Sequence, residues 1–180
     1  MDGAPAQYAD AWGTDRTRQN AAYTALMEAT SEPVPWADDV WDDLVGHLSD
    51  ADNHNRAIAA QLLCNLAARH PSERILRDLD ALVAVSRDER FVTARHALRS
   101  LWKIGLAGES QRHAVVAALA RRYREAADEK NGTLVRSDIV EGLRHLHDAV
   151  GDPAVERTAR ELIDAEADPK YQRKYRGHWR

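Results

Sequence analysis

Four carboxylates, Asp38, Asp39, Asp42 and Asp43, stand within one short stretch and form the densest cluster of potential metal ligands or acid–base groups in the chain. Their spacing fits another role. In a helix beginning near Trp36 they fill the first two turns, where negative charge opposes the positive end of the helix dipole. Asp50-Ala-Asp-Asn-His54 opens like a calcium loop, but its sixth position is Asn55 where glycine is needed, and its twelfth is Gln61 where glutamate is needed. Calcium fails there. Of the eight histidines, His145 and His147 lie two apart, about 200° around a helix axis, so they cannot chelate one ion together. Glu141 and His145, at i and i+4, supply two ligands without a third. The chain has no His-Glu-x-x-His, no paired Cys-x-x-Cys, no Gly-x-Ser-x-Gly and no glycine-rich phosphate loop. Its single cysteine, Cys64, sits near the apolar side of a helical pattern, where cysteine behaves as a small hydrophobe. No catalytic residue, metal or cofactor is expected.

The remaining candidates are positioned by a repeated helix. Asn55–Ala67 lies over Thr93–Gly105 without a gap, 38 residues later, with apolar or small residues coinciding at Ala59/Ala97, Ala60/Leu98, Leu63/Leu101 and Leu66/Ile104. A third, looser copy starts 42 residues further on at Val135, and places Ile139, Val140, Leu143 and Leu146 at the same positions. Self-similarity at about 40 residues in helical segments is the signature of an α-solenoid. In such an array the second helix of each pair lines a concave face, which is the usual binding surface. At 3.6 residues per turn, the face opposite the leucine stripe carries Gln61 and Asn65, then His96, Arg99 and Lys103, then Asp138, Glu141 and His145. Arg95, Trp102 and Arg144 lie on its flank. The expected groove is therefore neutral at one end, basic in the middle and acidic at the other, which suits a protein or peptide partner. The partner-binding candidates are Arg95, His96, Arg99, Trp102, Lys103, Asp138, Glu141 and His145. Trp102, beside two cations, has the composition of a binding hot spot. Its alternative role is to close the seam between two repeats.

Taken in order, residues 1–13 are small and polar and are expected to be poorly ordered. Thr14 or Asp15 caps a first helix to about Glu28, and Ser31-Glu-Pro-Val-Pro35 breaks the chain. Helices are expected at 36–48, 55–70, 73–85, 90–104, 110–129, 134–150 and 153–166. Ser72 is a good N-cap, and Asp152 followed by Pro153 is another. No strand is expected. The helices 14–166 make one domain, and 167–180 is a basic, aromatic tail. Five Lys/Arg and no acid fall in residues 169–180, which leaves the rest of the chain at a net charge of −9 against −4 overall. Lys170, Arg173, Lys174, Arg176 and Arg180 alternate there with Tyr171, Tyr175 and Trp179. The tail either caps the open end of the last repeat on the acidic body or binds phosphates and stacks on bases. With no apolar run of roughly 18 to 20 residues, no secretory signal and one cysteine, a cytoplasmic protein without membrane contact is expected.

At this point the chain resembles the HEAT-like (armadillo-type) helical-repeat family, in the form of a short bacterial-type HEAT-repeat protein. The likeness rests on a small or apolar pair followed by leucines in each second helix, with Arg56 and Arg136 near two of the helix starts and Arg95 displaced by one in the middle copy. It covers roughly residues 36–150. The resemblance implies an all-α, right-handed α-solenoid of antiparallel helix pairs with capping helices at both ends. It further implies a non-enzymatic scaffold or adaptor that holds a protein or peptide on its concave face. The family also contains alkylpurine DNA glycosylases, which use a basic groove with an aromatic and a carboxylate near the lesion. Trp102 and Asp138 would supply that pair here, so a DNA-binding protein or glycosylase-like enzyme is the alternative, against which the acidity of the body argues. A bilin-lyase-like protein is a third member-type, on analogy alone.

Overall fold

Aspartates placed just ahead of the first helical turn start four of these helices. In the computed structural model, which describes residues 3–180, Asp15 accepts hydrogen bonds from the backbone N–H groups of Thr17 and Arg18. Asp52, Asp152 and Asp168 do the same for His54, Ala154 and Lys170. Each such cap contributes about 1 kcal/mol to its helix. The α-helices are α1 Arg16–Ala29, α2 Ala37–His47, α3 Asn53–Arg69, α4 Arg74–Ala84, α5 Phe91–Ser100, α6 Glu109–Glu125, α7 Gly132–Val150, α8 Pro153–Asp164 and α9 Pro169–Gly177. Tighter 3₁₀ segments occupy Ala6–Trp12, Val85–Arg87, Leu101–Leu106 and Ala126–Asp128. The chain is all-α, with no strand among the described residues. No helix among them is long and apolar enough to cross a membrane.

The helices pack in two rows. In one row α1 lies against α3, α3 against α5, α5 against α7 and α7 against α9. In the other, α2 lies against α4, α4 against α6 and α6 against α8. The apolar positions shared by the three sequence copies meet between the rows: Ala59, Ala60, Leu63, Leu66, Ala97, Leu98, Leu101, Ile104, Ile139, Val140, Leu143 and Leu146 are none of them more than 2% exposed. Polar bonds cross from each helix of the first row to the next. Gln19 Nε2 donates to Asn55 Oδ1 (2.8 Å), Tyr23 Oη to Gln61 Oε1 (2.9 Å), Lys103 Nζ to Asn65 Oδ1 (2.7 Å) and Arg95 to Asp138. These partners are 36, 38, 38 and 43 residues apart. The offset seen between sequence copies is thus the distance along the chain from one packed helix to the next in its row.

Several expectations change. Residues 1–13, expected to be poorly ordered, contain the 3₁₀ helix Ala6–Trp12; residues 1 and 2 lie outside the described residues. Tyr8 and Ala11 are buried, Tyr8 Oη donates to Asp43 Oδ2 (2.8 Å), and the Trp12 ring stacks on His47 with centroids 3.8 Å apart. The small, polar composition hid two aromatic anchors whose partners lie over 30 residues away. The helix expected at 90–104 stays α-helical only to Ser100 and then tightens into the 3₁₀ turn. There Ser100 Oγ donates back to the His96 carbonyl (3.1 Å), an arrangement that bends helices. The helix expected to reach residue 129 ends as α-helix at Glu125. Its short exit turn is closed by Gly132, where a Cβ would sit 1.9 Å from the Ala126 carbonyl oxygen. Gly151, at φ +66°, ends α7 in the left-handed conformation that glycine adopts at low cost. The basic tail is helical and folded onto α7 and α8. Of the clustered aspartates, Asp38 and Asp42 hold the Arg74 guanidinium at 3.2 and 2.5 Å.

Candidate functional site

The outward stripe of α5 and its 3₁₀ extension faces α7 on one side and α1 with α3 on the other. Between α5 and α7 lies a cleft of about 160 Å³ lined by Arg99, Trp102, Asp138, Glu141, Gly142 and His145. Five of the eight sequence candidates meet there. Trp102 is half-buried, with its ring tilted against His145 at 5.5 Å between centroids, and Gly142 forms the floor without a side chain. Arg99, Glu141 and His145 project from the two helices, and none has an ion-pair partner among the described residues. The cleft therefore offers one cation, one carboxylate, an imidazole and an aromatic face. That set suits binding by charge and stacking.

Asp138 is different. Its carboxylate is 4% exposed and receives two parallel hydrogen bonds from Arg95, Nε at 2.6 Å and the second guanidinium nitrogen at 2.8 Å. That bond holds the Arg95 guanidinium above its ordinary pKa, and the Phe91 ring covers it at 6.0 Å. Arg95 thus braces the wall of the cleft. Arg95 and Asp138, both among the partner-binding candidates, are committed to each other.

Lys103 is also committed. Its ammonium bonds the side-chain carbonyl of Asn65, and Asn65 in turn donates to Thr30 Oγ1 at 3.0 Å. Burial, with Arg69 nearby, lowers the Lys103 pKa. Gln61 and Asn65, expected to line the neutral end of the groove, are buried beneath α1 through Tyr23 and Thr30. A helix that sequence periodicity placed at the end of the array covers them.

His96 remains exposed and lines a second cleft of about 160 Å³ between α1, α3 and α5, together with Tyr23, Ile58 and Val92. Partial burial, followed by the charges of Arg99 and Arg95, lowers its pKa below the ordinary imidazole value. Sequence reasoning missed this cleft. The available signal was Val92, four residues before His96 on the same helical face and apolar where a solvated residue is usual.

Cys64 is fully buried, and burial pushes its thiol up to about 12, with Lys103 opposing in part. A raised pKa keeps the thiol protonated and inert. The folded protein is expected to resist alkylation by iodoacetamide at pH 8 and to react fully once unfolded in guanidinium. Rapid labelling of the folded chain would contradict the burial described here.

No protein-family model matches the chain, and no curated protein matches it by sequence.

Proposed function

We propose that the two rows of helices are the layers of a right-handed HEAT-like solenoid of antiparallel pairs. In this reading α3, α5 and α7 form the concave face, and α1 and α9 cap its ends. The protein then acts as a non-enzymatic scaffold or adaptor in the cytoplasm, holding a protein or peptide across α5 and α7. The observation that carries this is the cleft of Arg99, Trp102, Glu141 and His145. Among the described residues its charged groups lack ion-pair partners, while the neighbouring Arg95, Asp138 and Arg144 are paired. Leaving ionic groups and an aromatic face unengaged in a concavity is the arrangement that a partner completes. The glycosylase-like alternative takes Trp102 and Asp138 as its pair, and Asp138 is held by Arg95, so Glu141 is the unpaired carboxylate of the cleft among the described residues. Nucleic-acid binding through the concave face would also meet the carboxylates of Glu141 and Asp138.

The test is affinity capture from the native host with the Arg99→Glu/Glu141→Arg double variant beside the native chain. Both residues line the cleft and hold no ion pair or side-chain hydrogen bond among the described residues, so the fold is expected to be preserved, whereas Lys103 and Asp138 variants would disturb helix packing. A partner recovered by the native chain and reduced at least tenfold by the variant is expected. Equal recovery by both would overturn the assignment.

A further inference from the structure

Two stripes run side by side on α3 and α5. Along α3, His54, Ile58, Gln61, Asn65 and Arg69 recur at three- and four-residue spacing, with His54 and Arg69 open and the three between them buried; along α5 and its extension, Val92, His96, Arg99 and Lys103 recur in the same way. Hydrogen bonds tie the two helices together at both ends, Asn53 Nδ2 to Thr93 Oγ1 at 3.2 Å and Lys103 Nζ to Asn65 Oδ1 at 2.7 Å. Their chemistry changes along the helix axis.

The end near the helix starts is apolar. Val92 is 67% exposed, the one large apolar side chain so exposed among the described residues. With Tyr23, Ala57 and Ile58 it walls the cleft between α1 and α5. A solvated valine costs little by itself, but this one stands at the mouth of a concavity that already has an apolar lining. The other end is cationic. Arg69 and Arg99 are exposed, and neither has a carboxylate at ion-pair distance among the described residues. Lys103 beside them bonds a neutral amide oxygen. By contrast Arg56, Arg95 and Arg112 each hold an aspartate, Asp88, Asp138 and Asp152. In a chain with net charge −4, three neighbouring cations without an acid form a surface complementary to a negative group.

We infer that this part of the groove takes a peptide segment with an apolar side chain in the Tyr23–Ile58–Val92 cleft and, about three residues along, an anionic side chain held by Arg99 and Arg69. The spacing follows from geometry. Val92 and Arg99 are seven residues apart on α5, about 10 Å along the axis, and an extended peptide covers that in about three residues at 3.3 Å each. The anion is a carboxylate or a phosphorylated side chain; both present oxygens to guanidinium groups. This inference rests on the peptide-binding reading above and specifies its ligand.

Selection of displayed random ten-residue peptides on the purified full chain tests it, followed by fluorescence polarisation with synthetic peptides. The expected result is enrichment of an apolar residue followed three positions later by Asp or Glu. Val92→Asp and Arg99→Glu should each weaken binding about tenfold or more. Replacing the peptide acid by lysine should restore affinity to Arg99→Glu alone, which a general loss of fold would not do. Phosphoserine in place of glutamate distinguishes the two anions, by binding more tightly or less tightly to the native chain. Enriched peptides without this spacing, or binding indifferent to both variants, would overturn the inference. So would displacement of the peptide by a single-stranded oligonucleotide at low salt. Peptides that respond to Glu141→Arg but not to Val92→Asp would overturn it and leave the scaffold reading standing. If no peptide is enriched and partner capture is also unaffected by the double variant described above, both fall.

Discussion

Arg95→Met is expected to cost about 3–5 kcal/mol of folding stability, while Asp138→Asn costs about 1–2 kcal/mol. The asymmetry comes from burial. The Asp138 carboxylate is 4% exposed and the Arg95 side chain 37% exposed. Removing arginine strands a charged oxygen pair between α5 and α7 with no donor. Removing the aspartate charge leaves a guanidinium that can turn toward water. Because isosteric apolar pairs often replace buried ion pairs without loss, the Arg95→Met/Asp138→Leu double variant is expected to be more stable than Arg95→Met alone. Urea unfolding of the four proteins measures all three differences. Equal and small losses, below about 0.5 kcal/mol for both single variants, would mean that the pair is surface decoration. In that case Asp138 would return to the set of free groups in the cleft.

The tail carries the second large effect. Tyr175 is fully buried, donates its hydroxyl to the Thr133 carbonyl at 2.9 Å, and meets Tyr123 edge-on at 6.3 Å. Trp179 donates its indole N–H to the Val140 carbonyl at 3.2 Å, with the Arg144 and Arg160 guanidinium groups over its ring at 5.5 and 6.0 Å. Tyr175→Ala is therefore expected to destabilise the protein by about 3–5 kcal/mol, the range for truncating a buried aromatic. At this chain length that lowers the melting temperature by about 10 °C. Arg173→Ala and Lys174→Ala, which change exposed residues of the same helix, are expected to stay within about 0.5 kcal/mol of the native chain. Calorimetry or thermal circular dichroism decides between the two roles of the tail. If Tyr175→Ala melted with the native protein, the tail would be an arm free for another ligand. Loss of stability identifies it as the cover of α7 and α8.

Particular residues show how far the sequence reaches. The stripe of Leu63, Leu101 and Leu143 could be read directly, because a helix turning every 3.6 residues records in its own sequence which face meets a core. The caps at Asp15 and Asp152 could be read for the same local reason, since their partners are two and three residues away. The all-α class, the 38- and 42-residue offsets and the placing of Arg99, Glu141 and His145 on outward helix faces, with Trp102 on the flank, followed from that periodicity and the repeat it implies. Periodicity does not say what covers a polar face. Gln61 and Asn65 stand at the repeat positions of Arg99 and Lys103, yet Tyr23 and Thr30 bury the first pair, whereas Arg99 stays open. Asp138 resembles Glu141 in sequence, but Arg95 reaches across from α5 to one and not the other. Tyr8, Trp12, Tyr175 and Trp179 stand in segments of polar or basic composition, and only docking against residues about 35 to 42 positions away turns them into core. Local sequence determined which helices form and which stripe each one buries, because those depend on interactions within a few turns. The tertiary structure alone decided which charged groups remain free to bind, because pairing and cover come from helices one repeat away.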